Sequence, residues 1–424
     1  MQSIINKDFG FRVVVMEKKV NRFIKLYPWY KGLTGALLFY VAIGTLFLRG
    51  VRGLTSAELV TMTTVSTVAA IALQFPMLWV IKRVGNTVSV RISGIALVMS
   101  ALCFTFGTNF YVIMLGAVFR NISQTMCQPI FVALENNLDL VNRRDEFIKI
   151  RASGNTCYSV LTMIVSFIAS PLFNVHRFLP MLCCIASTVI GLIMSFFMAD
   201  CSGSDIITFK AQKSKAKVGY GKLVLLAVLS YGVFFALVNE GQTDQKLFIE
   251  GELMSAFSVD NAALILGIIL AVSRIIRVVS NMVFVKIYSR MKQTIGNLLA
   301  SLMFASFVLS VLGSLAPNTI VKFTIMALGY VIILFCRDPF TLYIQDIIFE
   351  NAPKEQHQTL LTMLRFGVKL ATAAMGIVAS MLLLKFEFVV VIAILGIFAI
   401  AETVISVWLY KTVKASQKES CEVQ

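Results

Sequence analysis

The sequence predicts an all-α polytopic membrane protein, with 12 transmembrane helices forming two pseudo-symmetric six-helix bundles. Three observations lead there. Of the 424 residues, 58% are hydrophobic and only 14% charged, against about 25% charged in a soluble domain; mean hydropathy is +0.83. Apolar runs of about 20 residues, long enough to cross a bilayer, recur along the chain. The longest polar interior stretch, "ADCSGSDIITFKAQKSKAKVGYGK" (Ala199–Lys222), leaves six such runs before it and six after.

The elements follow in chain order. Residues 1–31 read as a cytoplasmic arm: "MQSIINKDFGFRVVVMEKKVNRF" is charged and lacks the apolar core and cleavage site of a signal peptide. The N-terminal bundle, 32–199, holds runs near 32–49, 57–80, 88–107, 109–133, 153–174 and 178–199. A cytoplasmic inter-bundle loop, 200–221, comes next. The C-terminal bundle, 222–410, holds runs near 222–240, 262–285, 294–315, 319–348, 359–384 and 387–410, before a cytoplasmic tail, 411–424. The tenth run is long enough that it must tilt, bend or protrude.

A net charge of +16 suggests nucleic acid until its distribution is read. With both termini and the even-numbered loops in the cytoplasm, only Arg49, Arg52, Arg177, Lys246 and Lys385 of the loop cations lie outside. That asymmetry is the positive-inside rule, so topology accounts for the basic charge. It places the chain in the cell (inner or plasma) membrane, with the lipid bilayer as partner and no nucleic acid. The eight Cys form no CxxC pair, and His176 and His357, both expected in loops, are the only histidines. No metal, cofactor or disulfide framework is expected.

The two halves share features at similar spacing. Arg120 is followed by Glu135 and then "RASG" (Arg151–Gly154); Arg337 is followed by Glu350 and then "RFG" (Arg365–Gly367). "KRVGNT" (Lys82–Thr87) after the second run matches "SRMKQT" (Ser289–Thr294) after the eighth. Parallel repeats of six spans are a known transporter plan. On these features, and on "ENAPKEQ" after the tenth run, the chain resembles the major facilitator superfamily over essentially its whole length. The motifs depart from the family pattern. Lys82 stands where the Asp of the loop signature belongs, and in "RNISQ" Arg120 is kept while Ser123 and Gln124 replace Gln and Gly.

Charged residues inside the runs are the candidate site. On insertion scales each costs about 2.5–3.5 kcal/mol at a helix centre, so such residues turn to the bundle interior or a wet cavity. Lys322 and Arg365 sit near ends and can snorkel, which leaves Arg120, Arg274, Arg277, Arg337 and Lys369. Arg120, Ser123, Gln124 and Cys127 share one helical face, as do Arg274, Arg277 and Asn281. Asp338, Thr341 and Gln345 form a stripe from which Arg337 turns about 100° away. Lys369, Thr372 and Ala373 share a face. Arg277 and Lys369 carry two readings, snorkelling to the surface or facing the cavity.

The resemblance implies that helices 1, 4, 7 and 10 line a central cavity walled by 2, 5, 8 and 11. Substrate-binding residues would then be Arg120, Gln124, Arg274, Arg337 and Lys369. A basic surplus favours an anion, which Arg grips through paired hydrogen bonds. Asp338 and Asp346 are the expected proton-coupling groups, with Arg337 as partner or competitor, and Glu240 is a marginal third carboxylate. The resemblance also implies cytoplasmic gate ion pairs, drawn from Arg83, Glu135, Arg151, Arg290, Glu350 and Arg365.

The expected function is a monomeric secondary active transporter moving a small, anionic solute by proton symport or exchange, not an enzyme. The alternative is a multidrug or amphiphile efflux pump of the same superfamily, its pocket built from some of the 33 Phe and 19 Met. No Gly-rich phosphate loop, GxSxG elbow or HExxH motif supports catalysis.

Overall fold

The structure, a computed structural model, describes residues 2–201, 220–256, 259–292, 294–383 and 385–422. Most of the expected inter-bundle loop, residues 202–219, lies outside these. The chain divides into two compact units, Met1–Gln212 and Lys213–Gln424. No strand occurs among the described residues.

The first unit begins with α1 (Gln2–Thr34) and α2 (Leu38–Gly50). Helix runs through the stretch read as an N-terminal arm. Val20, Phe23, Tyr27 and Tyr30 recur at helical spacing and are buried, and α1 packs along α7 (Phe147–Val175). Interspersed cations (Lys18, Lys19, Arg22, Lys25) depress the average hydropathy, which hides this stripe from a search for apolar runs. The chain breaks at Gly35, where it passes so close to α7 that an added Cβ would lie 2.8 Å from a Tyr158 ring carbon and from the Lys31 carbonyl oxygen.

Next, α3 (Ser56–Ala72) starts at a capping box: Thr55 accepts from the Glu58 amide at 3.2 Å, and Glu58 accepts from the Thr55 amide at 2.8 Å. The helix α4 (Gln74–Phe106) covers the end of the second expected span and all of the third, and Gly85 (φ 82°, ψ 173°) interrupts it. That conformation suits glycine alone, and it falls inside "KRVGNT". Then α5 (Phe110–Met126) gives way to α6 (Pro129–Leu140), with Pro129 opening the new helix. A 3₁₀ turn (Arg144–Glu146) leads into α7, and α8 (Leu179–Ser195) closes the unit. Small polar residues let α4 and α5 approach. Ser100 donates to the Gly116 carbonyl at 2.7 Å, and Ser93 meets Ser123 at 3.3 Å.

The second unit holds α9 (Tyr220–Ala256), α10 (Val259–Met291), α11 (Ile295–Ser314), α12 (Thr319–Asn351), α13 (Lys354–Leu383) and α14 (Phe388–Glu422). Its α9 packs on α12, α13 and α14, while α11 packs on α12 and α14 and α10 lies against α12. The 33 residues of α12 run about 50 Å at 1.5 Å per residue, well beyond a hydrocarbon core of about 30 Å. His357, expected in a loop, sits buried in the first turns of α13 with Nε2 2.9 Å from the Ala352 carbonyl.

Seven stretches among the described residues are long and apolar enough to cross a membrane, among them Gln74–Phe106, Gly221–Gln242 and Phe388–Ala415. Several other expected spans are divided at the breaks above or are shorter, as α8 is. Large apolar side chains point outward in both units: Tyr111 is 72% exposed, Val175 78% and Ile320 75%. Such an apolar exterior is matched by lipid rather than water. The chain is a multi-pass helical membrane protein.

Candidate functional site

In the first unit, α5 carries the predicted arginine stripe and α1–α2 supplies its partners. Arg120 is half-buried, its guanidinium 5.7 Å from the centre of the Tyr40 ring. Ser123 is buried against Ser93, and Cys127 lies 3.8 Å from the Tyr30 hydroxyl. Gln124 is exposed. The stripe therefore divides: Ser123 and Cys127 join helices, while Arg120 and Gln124 keep accessible polar ends. The two tyrosines that meet this stripe flank the α1–α2 break. Nothing in the local sequence marks them, since their pairing with α5 spans some eighty to a hundred residues.

In the second unit, the strongest polar contact joins α10 to α12. Arg277 grips Asp338 through both carboxylate oxygens, with Nη2 2.9 Å from each and Nε 3.1 Å from Oδ2. Asn281, one turn further on, adds its amide to Asp338 at 3.3 Å and to the Arg277 carbonyl at 2.9 Å. Both ions are buried. Residues adjacent in a helix point about 100° apart; the Asp338 carboxylate turns to α10 for its hydrogen bonds, with the Arg337 charge close enough to act on it as well. This pairing resolves Arg277, which neither snorkels nor stands as an unmatched cation. About two turns beyond Asp338, Asp346 accepts a hydrogen bond from the Tyr288 hydroxyl, a second rung between the same helices.

Arg274, Arg337 and Lys369 are half-buried. The Lys369 face of α13 turns toward α9: Asn239 donates to Thr372 at 3.3 Å, and a Cβ added at Gly376 would sit 3.1 Å from a Glu240 carboxylate oxygen. One buried carboxylate escaped the sequence reading altogether. Glu402, on α14, accepts from Ser230 of α9 at 2.7 Å, and its second oxygen has no partner among the described residues. It stood in plain view as a carboxylate inside the last apolar run.

The gate residues distribute differently from the expected pairs. Glu135 is buried and bonded to Arg144 at 2.9 Å. Arg151 is buried with its guanidinium over Phe131 (4.4 Å) and Phe147 (5.3 Å). Arg83 stacks on Trp79 at 3.6 Å. Glu350 pairs with Lys292, two residues beyond Arg290. Arg83 and Arg290, both exposed, make no ion pair among the described residues, and Arg365 is half-buried. Outside the spans, Arg143 chelates Glu146 at 2.8 and 2.6 Å, and this bonding holds the Glu146 carboxyl below its usual range.

A hydrogen-bond network that the sequence did not reveal uses the last two residues of the "KRVGNT" loop. Asp200, just past α8, accepts from Asn86 and Asn136, each at 2.8 Å, and its amide donates to Thr87 at 3.0 Å. Asn137 completes the latch, donating to the Ala199 carbonyl at 3.0 Å and accepting from the Cys201 amide at 2.8 Å. The Asn and Thr of "KRVGNT" thus tether the end of α8 to α4 and α6. Among the described residues no group of three or more His, Cys, Asp or Glu side chains is placed to hold a metal ion.

No family model matches the sequence, and no curated protein matches it. Solved structures do. A bacterial homologue of the iron transporter ferroportin, outward-facing with soaked iron, superposes with TM-score 0.67 at 11% identity, covering 92% of this chain and 98% of that one. FucP, a major facilitator superfamily transporter in the outward conformation, superposes with TM-score 0.68 at 11% identity over the same shares of both chains. At such identity the likeness concerns architecture alone, and over nearly its whole length this chain has the fold of the major facilitator superfamily transporters.

Proposed function

We propose that the chain is a secondary active transporter that moves a small organic anion by alternating access, through proton symport or exchange. The carrying observation is the major facilitator fold over 92% of the chain, whose two halves rock about a substrate site near the bilayer midplane. The anion reading is supported by half-buried cations on spanning helices, Arg120 in the first unit and Arg274, Arg337 and Lys369 in the second. With Gln124 they are the substrate-binding residues of this reading. Arg277 is set apart from them because it is buried and held by both oxygens of Asp338.

Coupling is assigned to Asp338 and Asp346. A proton arriving at Asp338 competes with the Arg277 guanidinium, so protonation would loosen α10 from α12 and charge movement would become helix movement. The gate set, Arg83, Glu135, Arg151, Arg290, Glu350 and Arg365, acts in conformational change rather than in holding substrate. The protein works as a monomer in the plasma membrane with both termini cytoplasmic.

A thermal-shift panel on the purified full chain tests the cargo class. Small carboxylates and phosphate esters should stabilise it, and neutral sugars and lipophilic cations should not. Stabilisation by lipophilic cations alone would favour an amphiphile exporter and end the anion reading. For coupling, uptake should lose its proton dependence in Asp338→Asn or Asp346→Asn, and persistence in both removes the assignment.

A further inference from the structure

We propose that the first unit carries a binding site for one anionic phospholipid at the α1–α8 seam. Lys18, Arg22 and Lys25 lie at i, i+4 and i+7 on one exposed stripe of α1. With Asn21 and Leu26 from the same helix, and Met194 and Phe197 at the end of α8, they line a cleft of about 550 Å³.

Three observations identify the occupant. The cleft offers three cations, and Arg22 is fixed in it by stacking on the Phe197 ring at 4.0 Å. The wall behind is polar and its charges cancel, because Asn21 accepts a hydrogen bond from Arg143 at 3.0 Å and that arginine is itself balanced by Glu146. Third, the stripe continues one turn on to Trp29, 57% exposed, the residue type that marks a membrane interface. Below it on α8, Phe196, Ile193 and Ile190 are also exposed. A ligand suited to this seam has an anionic head among three cations and an apolar tail running past Trp29 and the outer face of α8. A phospholipid has both, and a soluble phosphate only the first. Basic clusters beside spanning helices attract anionic lipid through such contacts.

The test uses the purified full chain in nanodiscs of phosphatidylcholine with or without phosphatidylglycerol, read by native mass spectrometry for retained lipid and by thermal unfolding. We expect the wild type to retain phosphatidylglycerol over phosphatidylcholine by about tenfold and to unfold at higher temperature with it. Combined Lys18→Gln, Arg22→Gln and Lys25→Gln should remove both effects, while Lys18→Arg with Lys25→Arg should keep them. Unfolding in a neutral detergent checks that the triple variant is intact, and Lys411→Gln with Lys414→Gln controls for general loss of basic charge. Equal retention of the two lipids by the wild type, or undiminished preference in the triple variant, overturns the proposal. Displacement of the retained lipid by inorganic phosphate or glycerol 3-phosphate would show a free-anion site and overturn it as well.

Discussion

A guanidinium inside a bilayer has to be answered within hydrogen-bond reach, and Arg277 is answered by both oxygens of Asp338. Removing one member of a buried pair strands the other charge and costs about 3–5 kcal/mol, whereas replacing both with apolar groups is often neutral. Arg277→Met or Asp338→Asn should therefore each lower the unfolding temperature sharply, and Arg277→Met with Asp338→Leu should recover most of the loss. Additive losses in that cycle would mean the pair does not couple. In the sequence, helical spacing placed Asp338 on a polar stripe but was silent about its partner, 61 residues away. Arg337, the nearest cation by number, acts on Asp338 by charge, while the hydrogen bonds come from Arg277. The half-buried pair at Arg143 and Glu146 makes a different forecast. Since bonding to Arg143 holds the Glu146 carboxyl below the ordinary glutamate range, the pair stays charged at neutral pH and is lost as pH falls through that lowered value. Glu146→Gln should leave the pH profile of transport near neutrality unchanged, and a displaced profile would contradict this.

At the scale of helices, apolar length showed where helix lies among the described residues, with three of the predicted runs split at a single point, but it missed how the first begins. The buried positions Val20, Phe23, Tyr27 and Tyr30 were legible as a period, not as a hydropathy average. The break at Gly85 was legible between two runs, the one before Pro129 lay inside a run read as continuous, and a loop held by distant side chains left no sign. The latch at Asp200 is of that last kind. Losing its carboxylate leaves the Asn86 and Asn136 amides unanswered, so Asp200→Ala should destabilise by about 1–3 kcal/mol, and the double variant with Asn86→Ala should lose less than the sum. Full additivity in thermal unfolding would argue against the network. Between α11 and α12, a Cβ at Gly296 would run into the Tyr343 ring. Gly296→Ala should therefore cost about 1–3 kcal/mol by overpacking, and Tyr343→Phe alone should not relieve it, because ring carbons as well as the hydroxyl are in the way.

For the whole molecule, a multi-pass helical membrane protein could be read from composition and apolar length, because membrane insertion writes itself into apolar length and loop charge. The cargo could not be read that way. It depends on which side of each helix a few cations occupy, and on which carboxylates neutralise them, as Asp338 does Arg277. An anionic cargo is proposed to meet Arg120 of the first unit and Arg274, Arg337 and Lys369 of the second. Counterflow in proteoliposomes tests it most directly: vesicles loaded with a small carboxylate or phosphate ester are assayed for exchange against the labelled compound, comparing wild type with Arg120→Gln and Arg274→Gln. The account predicts exchange of at least one anion by the wild type and its loss in both variants. Exchange of neutral or cationic solutes alone, or anion exchange undiminished in both variants, would contradict it.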